Sequence, residues 1–298
     1  MTRRHVAAYL ALGLIWGCSF VLIVRVAAAF GWAGAVSFRA LVAGGALYVL
    51  ARLTRRPLAY GAWPPLVVVG ATTVGAQLAG ISYATPLIGT AMAAMIVATI
   101  PLFSLLIGHL WGVEEITTAG RIGLLVGFVG MALLVGFPAA RLTSTFVIGC
   151  AVMALSSFAA ALGSNCARAW LQQVGSWEQT IGVFLSGGLL TLPLLVLAPV
   201  PRTPTWSDIG FLVLLAVTCS SLTYVLYFRL VAEVGATIAI SVEFLVTLVA
   251  VAIGALLLHE RLSALQLLGG FIIALGCALV LGIVAVPRRL RGTPAGTI

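Results

Sequence analysis

The chain has 298 residues, of which 62% are hydrophobic and 8% charged, with a mean hydropathy of +1.21. A soluble domain carries roughly a quarter charged residues, so this chain cannot cover its surface against water. Its net charge of +9 comes from 16 Arg and no Lys. They are scattered between apolar runs, which excludes a basic nucleic-acid patch and fits orientation charge in a membrane protein.

In chain order, Gly, Pro and charged residues punctuate the apolar runs. They predict helices at about 5–28, 32–51, 63–83, 86–109, 118–136, 146–170, 178–198, 207–228, 236–258 and 264–286. A bilayer takes about 20 apolar residues per helix, so ten helices use nearly the whole length. The first run, after Arg3 and Arg4, is too long for the apolar part of a signal peptide and reads as a retained helix. Tyr83-Ala84-Thr85-Pro86 leaves almost no loop between the third and fourth helices. Cys18, Cys150, Cys166, Cys219 and Cys277 each sit inside an apolar run without C-x-x-C spacing and read as packing residues.

Orientation follows the Arg positions. With the N-terminus inside, 11 Arg fall on the cytoplasmic side and 4 outside, while Arg39 lies within the membrane. Both termini are therefore expected in the cytoplasm. A shift of 146 positions superposes Gly89 on Gly235, Gly108 on Gly254, Glu114 on Glu260, Gly123 on Gly269 and Gly130 on Gly276. It also superposes Ala132 on Ala278, Leu133 on Leu279 and Gly136 on Gly282. The unit contains five helices, so the second copy enters the membrane from the opposite side. Inverted repeats of this kind occur in secondary transporters, with substrate held near the midplane between them. The expected organisation is a first repeat over 1–138, a second over 146–286 and a cytoplasmic tail over 287–298.

Several segments carry a family resemblance. They are Trp16-Gly17-Cys18-Ser19-Phe20, Phe38-Arg39-Ala40-Leu41, Thr223-Tyr224-Val225-Leu226-Tyr227-Phe228, and the stretch from Gly254 to Glu260 followed by Gln266, Gly269 and Gly276. Together, and in this order, the chain resembles the drug/metabolite transporter superfamily in its ten-helix EamA branch. The resemblance implies an all-α integral membrane fold of two inverted five-helix repeats around a central cavity. It also implies export of amino acids or related metabolites, and a bacterial inner membrane, to which the Lys-free, Ala- and Arg-rich composition adds weak support. Two positions depart from the family pattern: Thr247 stands where many members have Pro in the ninth helix, and His259 stands where Gly is usual.

A charge deep in hydrocarbon costs several kcal/mol by insertion scales, so it defaults to a functional candidate. Glu243 lies near the middle of the ninth helix and shares a face with Thr247. It is the candidate for a substrate ammonium or a coupling proton; the alternative is a packing role through hydrogen bonds to neighbouring helices. Arg39 offers a fork to a substrate carboxylate, or else satisfies helix-end carbonyls or snorkels. With the N-terminus inside, Arg39 falls in the outer half and Glu243 in the inner half, so no direct pair is expected. Trp16, Ser19 and Phe20 share a face of the first helix, Thr73, Gln77 and Gly80 one of the third, and Ser221, Tyr224 and Phe228 one of the eighth. Ser157, Ser164 and Asn165 lie on the sixth. These stripes line a cavity, or else are the ordinary small-residue packing surface of membrane helices. The resulting candidate set is Trp16, Ser19, Phe20, Arg39, Gln77, Ser157, Asn165, Tyr224, Glu243 and Thr247. Met92 and Met95 read as packing, and the glycines of the fifth and tenth helices as close-contact positions.

No ATP-binding loop, zincin pattern or catalytic set is legible, so no cofactor, metal or catalytic residue is expected. Expected partners are a small-molecule substrate and the lipid bilayer. The oligomeric state is left open, a monomer being compatible with the pattern. The rival readings are a multidrug or cationic-compound exporter and, from other classes, a membrane-embedded enzyme or a structural subunit.

Overall fold

The computed structural model describes residues 3–61, 63–112, 118–136, 143–260 and 262–280. Glu114, Arg141, Arg261, Gly282 and the tail 287–298 lie outside them, as does the side chain of Cys277. The described residues form helices, with no strand among them. The run Arg3–Leu53 is broken at Gly31 into α1 (3–30) and α2 (32–53). Then follow α3 (Trp63–Ile88), α4 (Thr90–Leu110), α5 (Thr118–Gly136), α6 (Ser144–Trp170), α7 (Ser176–Leu197) and α8 (Trp206–Val234). The ninth, α9, has two parts, Ala236–Ile240 and Val242–Leu256, and α10 is Ala264–Val280. By length and apolar composition, six runs among the described residues can cross a membrane, with Arg3–Leu53 counted as one; α5, α9 and α10 have shorter apolar stretches.

The third helix does not stop before Pro86 but runs through it to Ile88. Pro86 is exposed, and the neighbouring Thr85 hydroxyl donates to Ile81 O at 2.7 Å. The break comes at Gly89, with φ 85° and ψ 162°, and its repeat mate Gly235 breaks α8 from α9 with φ 93° and ψ 159°. A side chain is excluded from that backbone region, which is why the helix ends at these two glycines. The ninth helix is interrupted at Ser241, and it runs unbroken through Thr247. Thr247 Oγ1 lies 2.7 Å from Glu243 O and 2.8 Å from Ala94 O, its one proton shared between the two carbonyls, and the helix stays unbroken there.

The 146-residue offset recurs in the geometry. Wide π turns occur at Gly70–Ala76 in α3 and at Val217–Leu222 in α8. A Cβ on Gly130 would fall 2.7 Å from Ile273 N and 2.8 Å from Gly269 O. A Cβ on Gly276 would fall 2.5 Å from Gly127 N and 2.7 Å from Gly123 O. Adding 146 to 123, 127 and 130 gives 269, 273 and 276, so exchanging the two halves maps each contact of the α5–α10 seam onto the other. The remaining helices interlock across the halves: α1 packs on α8 and α9, α6 on α3 and α4, and α2 on α7.

One polar contact between the halves can be tested directly. Glu260 accepts from Thr90 N at 2.7 Å, Thr90 Oγ1 at 2.8 Å and Ala91 N at 2.9 Å, capping the N-terminus of α4. The preceding His259 sits at φ 52°, a region that explains why glycine suits this position. Replacing Glu260 with Ala leaves these donors unpaired and removes a carboxylate from a helix N-terminus. The expected cost is about 1–2 kcal/mol, read as a lowered thermal midpoint in detergent.

Candidate functional site

The site grows from helices that cross between the halves. From α1 come Trp16, Ser19, Phe20 and Ile23; from α2, Arg39; from α3, Gln77, Leu78 and Ile81. The other walls are Val97 of α4, Tyr224 of α8, and Glu243 and Val246 of α9. A second cavity adjoins the first, sharing Trp16, Gln77, Tyr224 and Glu243 and adding Thr73, Ile100, Ala160, Ser164, Tyr227 and Ile240. Their volumes, about 40 and 20 Å³, suit water, since one buried water needs roughly 10–15 Å³. A larger solute fits only if the helices part.

Arg39 is 3% exposed and has no acidic partner among the described residues. Its Nε donates to Ser220 Oγ at 2.6 Å and its Nη2 to Cys219 O at 3.3 Å. Both partners lie in the π turn of α8, whose wider ring frees backbone carbonyls for side chains. Cys219 O also accepts from Trp16 Nε1 at 3.1 Å, and Thr223 Oγ1 accepts from the same nitrogen at 2.9 Å. The π turn thus fixes Arg39 and Trp16 together. Trp16 lies 5.4 Å from Tyr224 and 5.4 Å from Tyr227 between ring centroids, making an aromatic wall.

Glu243 is 7% exposed. Its carboxylate forms no hydrogen bond or ion pair with another of the described residues, although Arg39 lines the same cavity. The interruption at Ser241 places Glu243 in the first turn of Val242–Leu256. The start of a helical segment carries partial positive charge, which favours a carboxylate there, although Phe244 N is itself bonded to Ser241 O at 3.1 Å.

Seven of the ten sequence candidates thus meet at one cavity: Trp16, Ser19, Phe20, Arg39, Gln77, Tyr224 and Glu243. Three do not. Ser157 Oγ donates to Met153 O at 3.0 Å. Asn165 Nδ2 donates to Ser104 Oγ and to Ala161 O, each at 2.9 Å. Thr247 faces an apolar crevice walled by Met95, Phe244 and Phe271. Tyr227 also walls the second cavity and is not among the ten sequence candidates; its signal in the sequence is the i, i+3 spacing from Tyr224. Among the described residues, no group of three His, Cys, Asp or Glu could hold a metal ion.

The offset exposes a chemical asymmetry. It pairs Glu243 with Val97, Tyr224 with Leu78 and Tyr227 with Ile81, and all six residues wall these two cavities. The frame is two-fold, but the acid and the phenols come from the second half alone.

Comparison with known proteins adds the family. The model of the EamA-like transporter family matches residues 4–136 and again 147–282. The protein PecM of Dickeya dadantii (strain 3937) is 26% identical over 283 residues, covering 94% of this chain and 93% of its own length. A solved crystal structure superposes with a TM-score of 0.68 at 18% identity, covering 98% of this chain and 100% of that one, which supports the fold.

Proposed function

Since the chain belongs to the EamA-like transporter family, we propose that it exports amino acids or related small metabolites across a bacterial inner membrane. In this reading ten helices span the bilayer, both termini are cytoplasmic, and the repeats, bounded near 1–138 and 146–286, are inserted in opposite senses. Transport is by alternating access, the halves moving about the cavity between them. No catalytic role or cofactor is proposed.

The observation that carries the substrate class is that one aromatic-walled cavity holds both a buried Arg39 and a Glu243 carboxyl with no bonding partner among the described residues. A zwitterion complements both: its ammonium meets Glu243 and its carboxylate meets the guanidinium. The rings of Trp16, Tyr224 and Tyr227 then hold an apolar side chain. The same rings beside one acid also favour a second reading, a lipophilic cation held by cation–π contact.

Efflux from proteoliposomes separates the two. Amino acids with apolar side chains are expected to leave at least about tenfold faster than from protein-free vesicles, and lipophilic cations no faster than that background. The reverse ranking would establish the cation exporter, and movement of neither would remove both readings.

A further inference from the structure

A polar vestibule opens at the end of the bundle that carries the N-terminus, where His5 bonds Glu233 at 2.7 Å. Its volume is about 420 Å³, and Arg168, Gln172, Gln173, Gln179 and Glu233 are among its walls. That volume is large enough for a small solute. The vestibule and the inner cavity of Glu243 share α6 and α8 as walls. Ser164 of the inner cavity lies three residues from Ala167 of the vestibule, and Tyr227 lies four from Val231. These spacings are about one helical turn, so the partition is thin.

A hydrogen bond crosses it. Tyr227 Oη and Ser164 Oγ are 2.7 Å apart, joining α8 to α6. Ser164 Oγ also donates to Ala160 O at 2.8 Å, so the phenol is the donor to Ser164. Phe228 stands beside Tyr227 with ring centroids 5.7 Å apart and faces the vestibule. The offset carries Tyr227 onto Ile81, a wall of the first cavity. A hydroxyl latch at Ile81 is therefore chemically excluded. The Tyr227–Ser164 bond thus has no hydroxyl counterpart at the matching position of the first half.

We propose that the vestibule is the route by which a polar solute reaches Glu243 from the N-terminal face, and that the Tyr227–Ser164 hydrogen bond is the latch across it. The proposal rests on the transport reading, because a solute must cross the cavity of Glu243. It makes Tyr227 and Ser164 gating residues that bias which face the cavity opens to.

The test needs no substrate, so it stands apart from the flux assays. Ile240→Cys places a thiol on the inner cavity. Its reaction with a membrane-impermeant thiol reagent is timed from each face of the vesicle, against the same protein without the added cysteine. Tyr227→Phe and Ser164→Ala each remove the bond and keep most of the shape. Either change is expected to speed labelling from the N-terminal face about three- to tenfold, in line with the loss of one hydrogen bond. Labelling from the opposite face should stay the same or slow. Unchanged labelling from the N-terminal face overturns the latch. An equal rise from both faces also overturns it, because that pattern reports loosened packing.

Discussion

Glu243→Gln is expected to insert and fold normally and to lose transport driven by a pH gradient. Gln keeps the shape of the carboxyl but cannot take up or release a proton. In the wild type an imposed pH gradient should accelerate substrate flux; in the variant it should have no effect, with driven flux at least about tenfold lower, or roughly 1.4 kcal/mol of lost coupling. The expectation comes from the site. A carboxyl buried in hydrocarbon must be compensated, and a cation held against it would fix its charge. Here Glu243 has no charge partner among the described residues and stands in the first turn after Ser241, where a helix end offers a partial charge only. Protonated and ionised forms are therefore closer in energy than an ion pair with Arg39 would leave them. Substrate exchange without a gradient then separates the roles. A proton carrier retains exchange in the Gln form, whereas a contact to the substrate ammonium loses exchange as well. Equal pH dependence in both proteins would remove Glu243 from coupling, and unaltered flux of every kind would favour a structural role.

The sequence made the faces legible and left their orientation open. Trp16, Ser19 and Phe20 share a face by helical spacing, and all three line the cavity. Ser157 and Asn165 satisfied the same kind of rule, but α6 turns them to carbonyl and hydroxyl partners at Met153, Ala161 and Ser104. Periodicity groups residues; it does not say which group meets the other half of the protein. Thr247 shared a face with Glu243 by spacing, yet its hydroxyl is used in back-bonding beside an apolar crevice. The π turns are harder still to read. A turn one residue wider rotates everything that follows by about 100°, and nothing in Gly70–Ala76 or Val217–Leu222 announces it. Arg39 shows the consequence: its charge was plain, but its partners, Ser220 and the Cys219 carbonyl, exist as partners because of that turn. The repeat was the most legible feature. Its glycines are backbone requirements, at Gly89 and Gly235 for conformation and at Gly130 and Gly276 for close approach.

Those last two glycines give the largest expected effect on stability. Gly130→Leu and Gly276→Leu should each destabilise the protein by about 3 kcal/mol, the upper end of overpacking costs. The new side chain would meet backbone atoms of the facing helix, which have no alternative rotamer to adopt. A lower thermal midpoint and a loss of monodisperse protein in detergent would report it. Gly45→Leu is the control, since a Cβ there meets nothing within 4 Å. It should stay within about 0.5 kcal/mol of wild type, as surface substitutions do. The two seam variants should also match one another, because exchanging the halves exchanges their contacts. A large difference between them would show that the seam is not two-fold. Among the described residues, none of α5 or α10 lines either cavity that Glu243 walls, so the seam holds the halves together at a distance from the candidate site. The proposed alternating access needs such a joint: in that reading the helices around Glu243 part and close only if something else keeps the halves in register. A variant that weakened the seam and left stability intact would separate joint from pivot, and flux at unchanged thermal midpoint is the measurement that detects it.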